Sequence, residues 1–159
     1  LIGQLAIARG AEVLEAAGIG SCVCLVLRSR ALATLGMAHV LLPEKAVGAD
    51  VSDERYPARY ARQAVWNLLK EMFPQGPVAH GQCEGLLVGG ANMFFRQEAT
   101  PEAAVGERNV TALRLALSER GLSIAAEDVG GTRGRTVSAL AETGEVWVRT
   151  VSDGRYLVG

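Results

Sequence analysis

Cys22 and His39 are the residues whose types and surroundings point most directly to covalent chemistry. The thiol follows Gly18-Ile19-Gly20-Ser21, and the imidazole ends Gly36-Met37-Ala38-His39. A thiolate is a strong nucleophile, and an adjacent imidazole can take its proton and later protonate a leaving group, so the pair suits attack on an electrophilic carbonyl carbon. Such a neighbour is also expected to depress the Cys22 pKa. The glycines upstream free the backbone to aim amides at a developing oxyanion, with Gly20, Ser21 and the Cys22 amide as candidates. A plainer reading stays open, in which Cys22 is a small buried residue and His39 a hydrogen-bonded core histidine. Cys22, Cys24 and His39 with either Cys83 or His80 would be a chemically sensible zinc set, but the two-residue cysteine spacing is not that of structural zinc sites. Neither a metal nor a cofactor is expected.

These side chains need elements to bring them together. The apolar runs Cys22 to Leu27 and Thr34 to Leu42 read as two strands of a hairpin, joined through Arg28-Ser29-Arg30. A turn centred on Arg30-Ala31 sets Cys22 directly opposite His39, and a slip of two residues would leave both on one face. Upstream, Gln4 to Ala8 and Val13 to Ala17 are strand candidates. Glu44 to Pro57 reads as a long loop. Tyr60, Ala61, Ala64, Val65, Leu68, Leu69 and Met72 form a helical stripe within Arg59 to Phe73, ended by Pro74 and Gly76.

Cys83 to Val88 is a buried strand candidate running into Gly89-Gly90-Ala91-Asn92, where paired glycines permit close backbone approach or positive φ. Asn109 is placed to cap a second helix from Val110 to Arg120. Ser123 to Asp128, Thr136 to Leu140 and Glu145 to Thr150 are further strands. The pattern predicts an α/β fold: a layered sandwich with a mixed or antiparallel sheet and two main helices, forming one domain over residues 1–159. Gly130-Gly131-Thr132-Arg133-Gly134-Arg135 is either a solvated charged loop or a pair of guanidiniums offered to a carboxylate-bearing partner.

Composition narrows the function classes. Sixteen Lys and Arg nearly cancel 17 Asp and Glu in 159 residues, which leaves no overall field to attract nucleic acid or an anionic membrane. No apolar run is long enough to span a bilayer, the opening segment does not read as a signal peptide, and three cysteines do not make a disulfide framework. Free thiols in a reducing, cytoplasmic compartment are the expectation.

Gly18-Ile19-Gly20-Ser21-Cys22-Val23, Gly36-Met37-Ala38-His39-Val40-Leu41-Leu42-Pro43, Arg59-Tyr60-Ala61, Gly89-Gly90-Ala91-Asn92-Met93-Phe94, Gly106-Glu107-Arg108-Asn109, Glu127-Asp128-Val129-Gly130-Gly131 and Arg133-Gly134-Arg135 occur in this order across nearly the whole chain. In this series the sequence resembles the CheD-type chemoreceptor glutamine deamidases of chemotaxis. The resemblance implies an α/β sandwich that hydrolyses receptor glutamine amides to glutamate through a Cys-His-Thr site. Cys22 would be the nucleophile and His39 the base, with Ala16 at the threonine position and Arg28 where an acidic residue is common. Implied partners are chemoreceptor cytoplasmic helices and a CheC-type phosphatase. Ala16 keeps a second function open, that of a catalytically weak regulatory binder.

Overall fold

The computed structural model describes residues 2–44, 55–76, 81–93 and 103–159. Its centre is β3 (Val23–Ser29), the run VCLVLRS, in which every residue is buried. A strand with no polar alternation must be covered on both faces. Its odd-numbered side chains Val23, Leu25 and Leu27 pack with Ala38 and Val40 against α1 (Ala61–Met72) and α2 (Ala103–Ser118). Its even-numbered Cys24 and Val26 pack with Leu35 and Met37 against a second sheet.

The first sheet has five strands in the order β1 (Leu5–Arg9), β4 (Thr34–Val40), β3, β5 (Glu84–Gly89), β6 (Ser123–Val129). The second has four, in the order β2 (Val13–Ile19), β7 (Arg135–Leu140), β8 (Val146–Thr150), β9 (Gly154–Leu157). Among the described residues, the ladders between these strands are antiparallel except that of β5 with β6, whose connection runs through α2. The result is the expected layered α/β sandwich, with two helices on one face of a mixed sheet and an antiparallel sheet on the other.

The apolar stripe of α1 is legible in its burial: Ala61, Ala64, Val65, Leu68 and Met72 face inward, spaced by three and four. Each fully buried leucine on that seam contributes about 1.5–3 kcal/mol. Leu68 is such a residue, and Leu68→Ala would cost about 2–5 kcal/mol.

Three sequence readings are corrected. The β3–β4 ladder pairs Cys24 with His39 and Val23 with Val40, so the hairpin register lies two residues from the expected one, and Cys22 sits just outside the ladder. Ser29 pairs with Thr34, leaving a four-residue connection in which Ala33 takes a positive φ of 41°. Asn109 caps nothing, because α2 begins at Ala103 and carries it mid-helix. A ninth strand, β9, follows the turn at Asp153-Gly154. Most of the Glu44 to Pro57 loop lies outside the described residues.

Strand directions gather the motifs at one end. Because β3 runs antiparallel to both β4 and β5, and β6 runs parallel to β5, the start of β3 shares an edge with the ends of β4, β5 and β6.

Candidate active site

Cys22 occupies the loop entering β3, and this loop is laced to the exit of β5. The Gly90 amide donates to the Cys22 carbonyl at 2.8 Å, and the Ala91 amide donates to the Gly20 carbonyl at 2.9 Å. Only glycine permits this approach: at Gly89, φ is +123° and a Cβ would lie 2.4 Å from the Cys22 carbonyl oxygen. The paired glycines therefore provide both the positive φ and the backbone proximity that their sequence suggested. Beyond them the Asn92 amide donates to the Gly131 carbonyl at 2.8 Å, joining the β6–β7 turn to the same edge. Met93 lies over Gly20, where a Cβ would sit 2.4 Å from its sulfur.

His39 is in β4, two residues from Met37, so it projects from the face that meets the four-stranded sheet. It is 4% exposed, and its Nε2 is buried with no hydrogen-bond partner among the described residues. Cys22 is one residue before the Val23–Val40 pair, and the register continued past that pair would set it opposite Leu41 and diagonal to His39. Diagonal positions lie about 7–8 Å apart.

Burial controls the resting protonation. It pushes the part-buried Cys22 thiol above its ordinary value, opposed by a hydrogen bond from its own backbone amide. Burial likewise lowers the His39 pKa. The expected depression of the Cys22 pKa is thus reversed in the free protein, where desolvation disfavours both charged forms and the pair rests as neutral thiol and neutral imidazole. Cys24 is pushed up to about 12 by complete burial, and Cys83 to about 11 by burial and the adjacent Glu84 charge.

Ala16 lies in β2 opposite Val137, just before a register shift. It is 7% exposed and packs in the inter-sheet core with Cys24 and Met37, in the layer that the His39 face meets. The zinc alternative divides across the sheet, since Cys83 packs on the helix side and Cys24 on the opposite side. His80 lies outside the described residues.

The charges singled out in the sequence are paired within the chain, with Arg28 at the opposite end of β3 from Cys22. Arg28 is buried, donates to Glu84 at 2.8 Å and to the Gly144 carbonyl at 2.6 Å, and stands opposite Glu84 in the ladder. Arg135 forms a two-pronged pair with Asp128 at 2.9 and 3.1 Å, and Tyr156 donates to the same carboxylate at 2.7 Å. Burial alone would raise the Asp128 pKa, but these hydrogen bonds and the Arg135 charge hold it below the usual range. Arg133 pairs with Asp153. Both guanidiniums of the Arg133-Gly134-Arg135 motif therefore have partners within the chain.

Sequence reasoning missed the role of Asn109. Fully buried, its Nδ2 donates to the carbonyls of Ser21 at 3.1 Å and Leu41 at 2.9 Å. The usable signal was its place on the stripe continued by Val110, Leu113, Ala116 and Leu117. An asparagine on a buried helical face needs partners for its amide.

The family profile described as CheD chemotactic sensory transduction matches residues 41–150. The chain belongs to the CheD family. Among similar proteins, the probable chemoreceptor glutamine deamidase CheD of Pyrococcus horikoshii is 35% identical over 158 residues, covering 98% of this chain and 93% of that protein. The chemoreceptor glutamine deamidase CheD of Thermotoga maritima is 35% identical over 156 residues, covering 98% and 93%. That of Halalkalibacterium halodurans is 36% identical over 143 residues, covering 90% and 86%. CheD similarity thus extends through both the Cys22 loop and the His39 strand. Among the described residues, no helix is long and apolar enough to cross a membrane.

Proposed function

We propose that this CheD-family chain is a chemoreceptor glutamine deamidase in which Cys22 and His39 perform a two-stage acyl transfer. The observation that carries the reading is the β3–β4 register: Cys22 immediately precedes Val23–Val40, the last pair of the ladder, and His39 belongs to the neighbouring Cys24–His39 pair, so both lie toward the edge where β3 begins and β4 ends. Relatives bearing the deamidase name align over nearly the full chain.

In the first stage His39, through its Nε2, which has no partner among the described residues, takes the Cys22 thiol proton as sulfur attacks the glutamine side-chain carbonyl carbon. The C=O electrons move onto oxygen, where the Cys22 amide and its Gly20-Ser21 neighbours are the candidate donors. As the tetrahedral species collapses, the C–N bond breaks, the imidazolium gives its proton to nitrogen, and ammonia leaves a thioester. In the second stage His39 deprotonates water, hydroxide adds to the thioester, and the C–S bond breaks. Glutamate is released and the thiol is restored. A neutral resting pair fits this sequence, since proton transfer then accompanies attack on the bound substrate instead of preceding it. The substrate is a glutamine on a chemoreceptor cytoplasmic helix, and the setting is cytoplasmic.

The test is intact-mass analysis of a receptor fragment incubated with parent protein, Cys22→Ala or His39→Gln. The parent should add the mass of amide-to-acid conversion at each modified glutamine, and both variants should lose it. Equal conversion by folded Cys22→Ala would remove Cys22 from the mechanism. Ala16 favours a second reading, in which the chain chiefly binds receptors or a CheC-type phosphatase: alanine offers no hydroxyl to hold the imidazole. Retained partner binding without deamidation by the parent would select it.

A further inference from the structure

We infer that Asn109 is a positioning residue that holds the Cys22 loop and the His39 strand in reacting register. This rests on the reading of Cys22 and His39 as the reacting pair. Ser21, whose carbonyl accepts from Asn109 Nδ2 at 3.1 Å, immediately precedes Cys22. Leu41, whose carbonyl accepts at 2.9 Å, lies two residues after His39. One side-chain nitrogen thus ties together the backbone segments bearing both groups, just where the β3–β4 ladder has ended and no longer fixes their separation.

The chemistry of the side chain suits that task. A carboxamide nitrogen has two hydrogens in a fixed plane, enough for two carbonyls. Aspartate offers two acceptors facing two acceptors, leucine offers nothing, and serine can satisfy only one. Packing alone does not account for asparagine here: it is completely buried beside Val110, and its Oδ1 has no partner among the described residues. A buried polar atom left unsatisfied is unfavourable, so the Nδ2 bonds offset a cost that an apolar residue on the same helical stripe would avoid.

The helix carrying Asn109 is itself fixed to the site. A Cβ at Gly106 would lie 2.5 Å from the Gly90 carbonyl oxygen, and one at Gly90 would lie 2.6 Å from Val110 Cγ2. Gly90 in turn donates to the Cys22 carbonyl. The nucleophile loop is therefore held at three successive carbonyls, Gly20 by Ala91, Ser21 by Asn109 and Cys22 by Gly90.

Asn109→Leu keeps the branched side-chain shape at a larger volume and removes both donors; Asn109→Ser keeps one donor and reduces volume. For each, thermal stability, kcat and KM on a receptor fragment, and the pH dependence of Cys22 alkylation by iodoacetamide would be measured, with peptide mapping of all three cysteines. In folded Asn109→Leu, kcat should fall by about 100-fold with KM altered by less than about threefold, the scale expected from misplacing a reacting group by about 1 Å. The Cys22 alkylation profile should shift while Cys24 and Cys83 stay protected, and Asn109→Ser should fall between parent and Asn109→Leu. A merely structural role would instead lower the melting temperature and expose all three thiols together. Folded variants with kcat and the Cys22 profile within about twofold of the parent would overturn the inference. Failure of both variants to fold would also overturn it, by assigning Asn109 to stability alone. Deamidation by Cys22→Ala would sink the underlying reaction, whereas the alkylation profiles report on Asn109 whether or not substrate is turned over.

Discussion

Replacing Gly89 by alanine tests whether backbone proximity places the nucleophile. The added Cβ would sit 2.4 Å from the Cys22 carbonyl oxygen and 2.5 Å from Ile19 Cγ2, where ordinary contact begins at 3.4 Å. Relief demands a displacement of about 1 Å, and backbone, not a flexible side-chain tip, must provide part of it; reacting groups misplaced that far lose about 100-fold in rate. Holding alanine at φ +123° costs about 1–3 kcal/mol. Overpacking adds about 1–3 kcal/mol, and losing the Gly90–Cys22 hydrogen bond about 1 kcal/mol. Because these terms share one relaxation, a total of about 3–5 kcal/mol is expected rather than their full sum. Gly18→Ala is the internal control: its φ is +72°, but nothing lies within 4 Å of the added carbon, leaving a backbone cost of about 1–2 kcal/mol. Urea unfolding should separate the two variants by about 2 kcal/mol or more, and mass analysis of receptor fragments should show the larger kcat loss in Gly89→Ala. Equal losses in both would refute the idea that close approach at Gly89 fixes Cys22.

Timed alkylation with peptide mapping should label Cys22 before Cys24 and Cys83, with an inflection above the ordinary thiol value of 9.0, because burial raises the part-buried Cys22 thiol while the other two thiols are buried; first labelling of Cys24 in folded protein would contradict this. His39 titrates below its ordinary 6.5, so between the lower folded value and 6.5 the unfolded chain carries the extra proton. Its contribution to stability should consequently rise with pH across that window, measured by urea melts of parent against His39→Gln. Ala16→Thr should raise kcat/KM by about 10-fold or more if its hydroxyl reaches the imidazole, the scale of one charge-assisted hydrogen bond, with binding of a CheC-like partner little changed by calorimetry. Unchanged hydrolysis by folded Ala16→Thr would show that position 16 does not serve His39.

Much of the architecture is legible because apolar periodicity changes cleanly along the chain. The apolar run Cys22 to Leu27 reads as a strand, the stripe within Arg59 to Phe73 as a helix, and Gly89-Gly90 as a backbone feature that the Cys22 carbonyl explains. The hairpin register was less accessible. No Asn-Gly or Asp-Gly pair pins the β3–β4 turn, and Ala33 accepts a left-handed φ that its residue type does not advertise. The two-residue error preserves strand parity, so His39 keeps the face that the expected register gave it although its partner is Cys24 instead of Cys22. Asn109 was harder, since a residue favoured at helix ends can also serve mid-helix when distant carbonyls satisfy it. Arg28 shows the same limit: its burial makes sense only beside Glu84, far along the chain.

The placement of the three thiols gives the molecule built-in reporters of partial opening. Cys83 is sealed between the five-stranded sheet and the helices, Cys24 between the two sheets, and Cys22 at the edge. Release of the helical layer would expose Cys83 while Cys24 stayed protected, whereas separation of the sheets would do the reverse. Thiol exchange under native conditions can therefore resolve the independent opening of each interface, without introducing a probe or altering a residue.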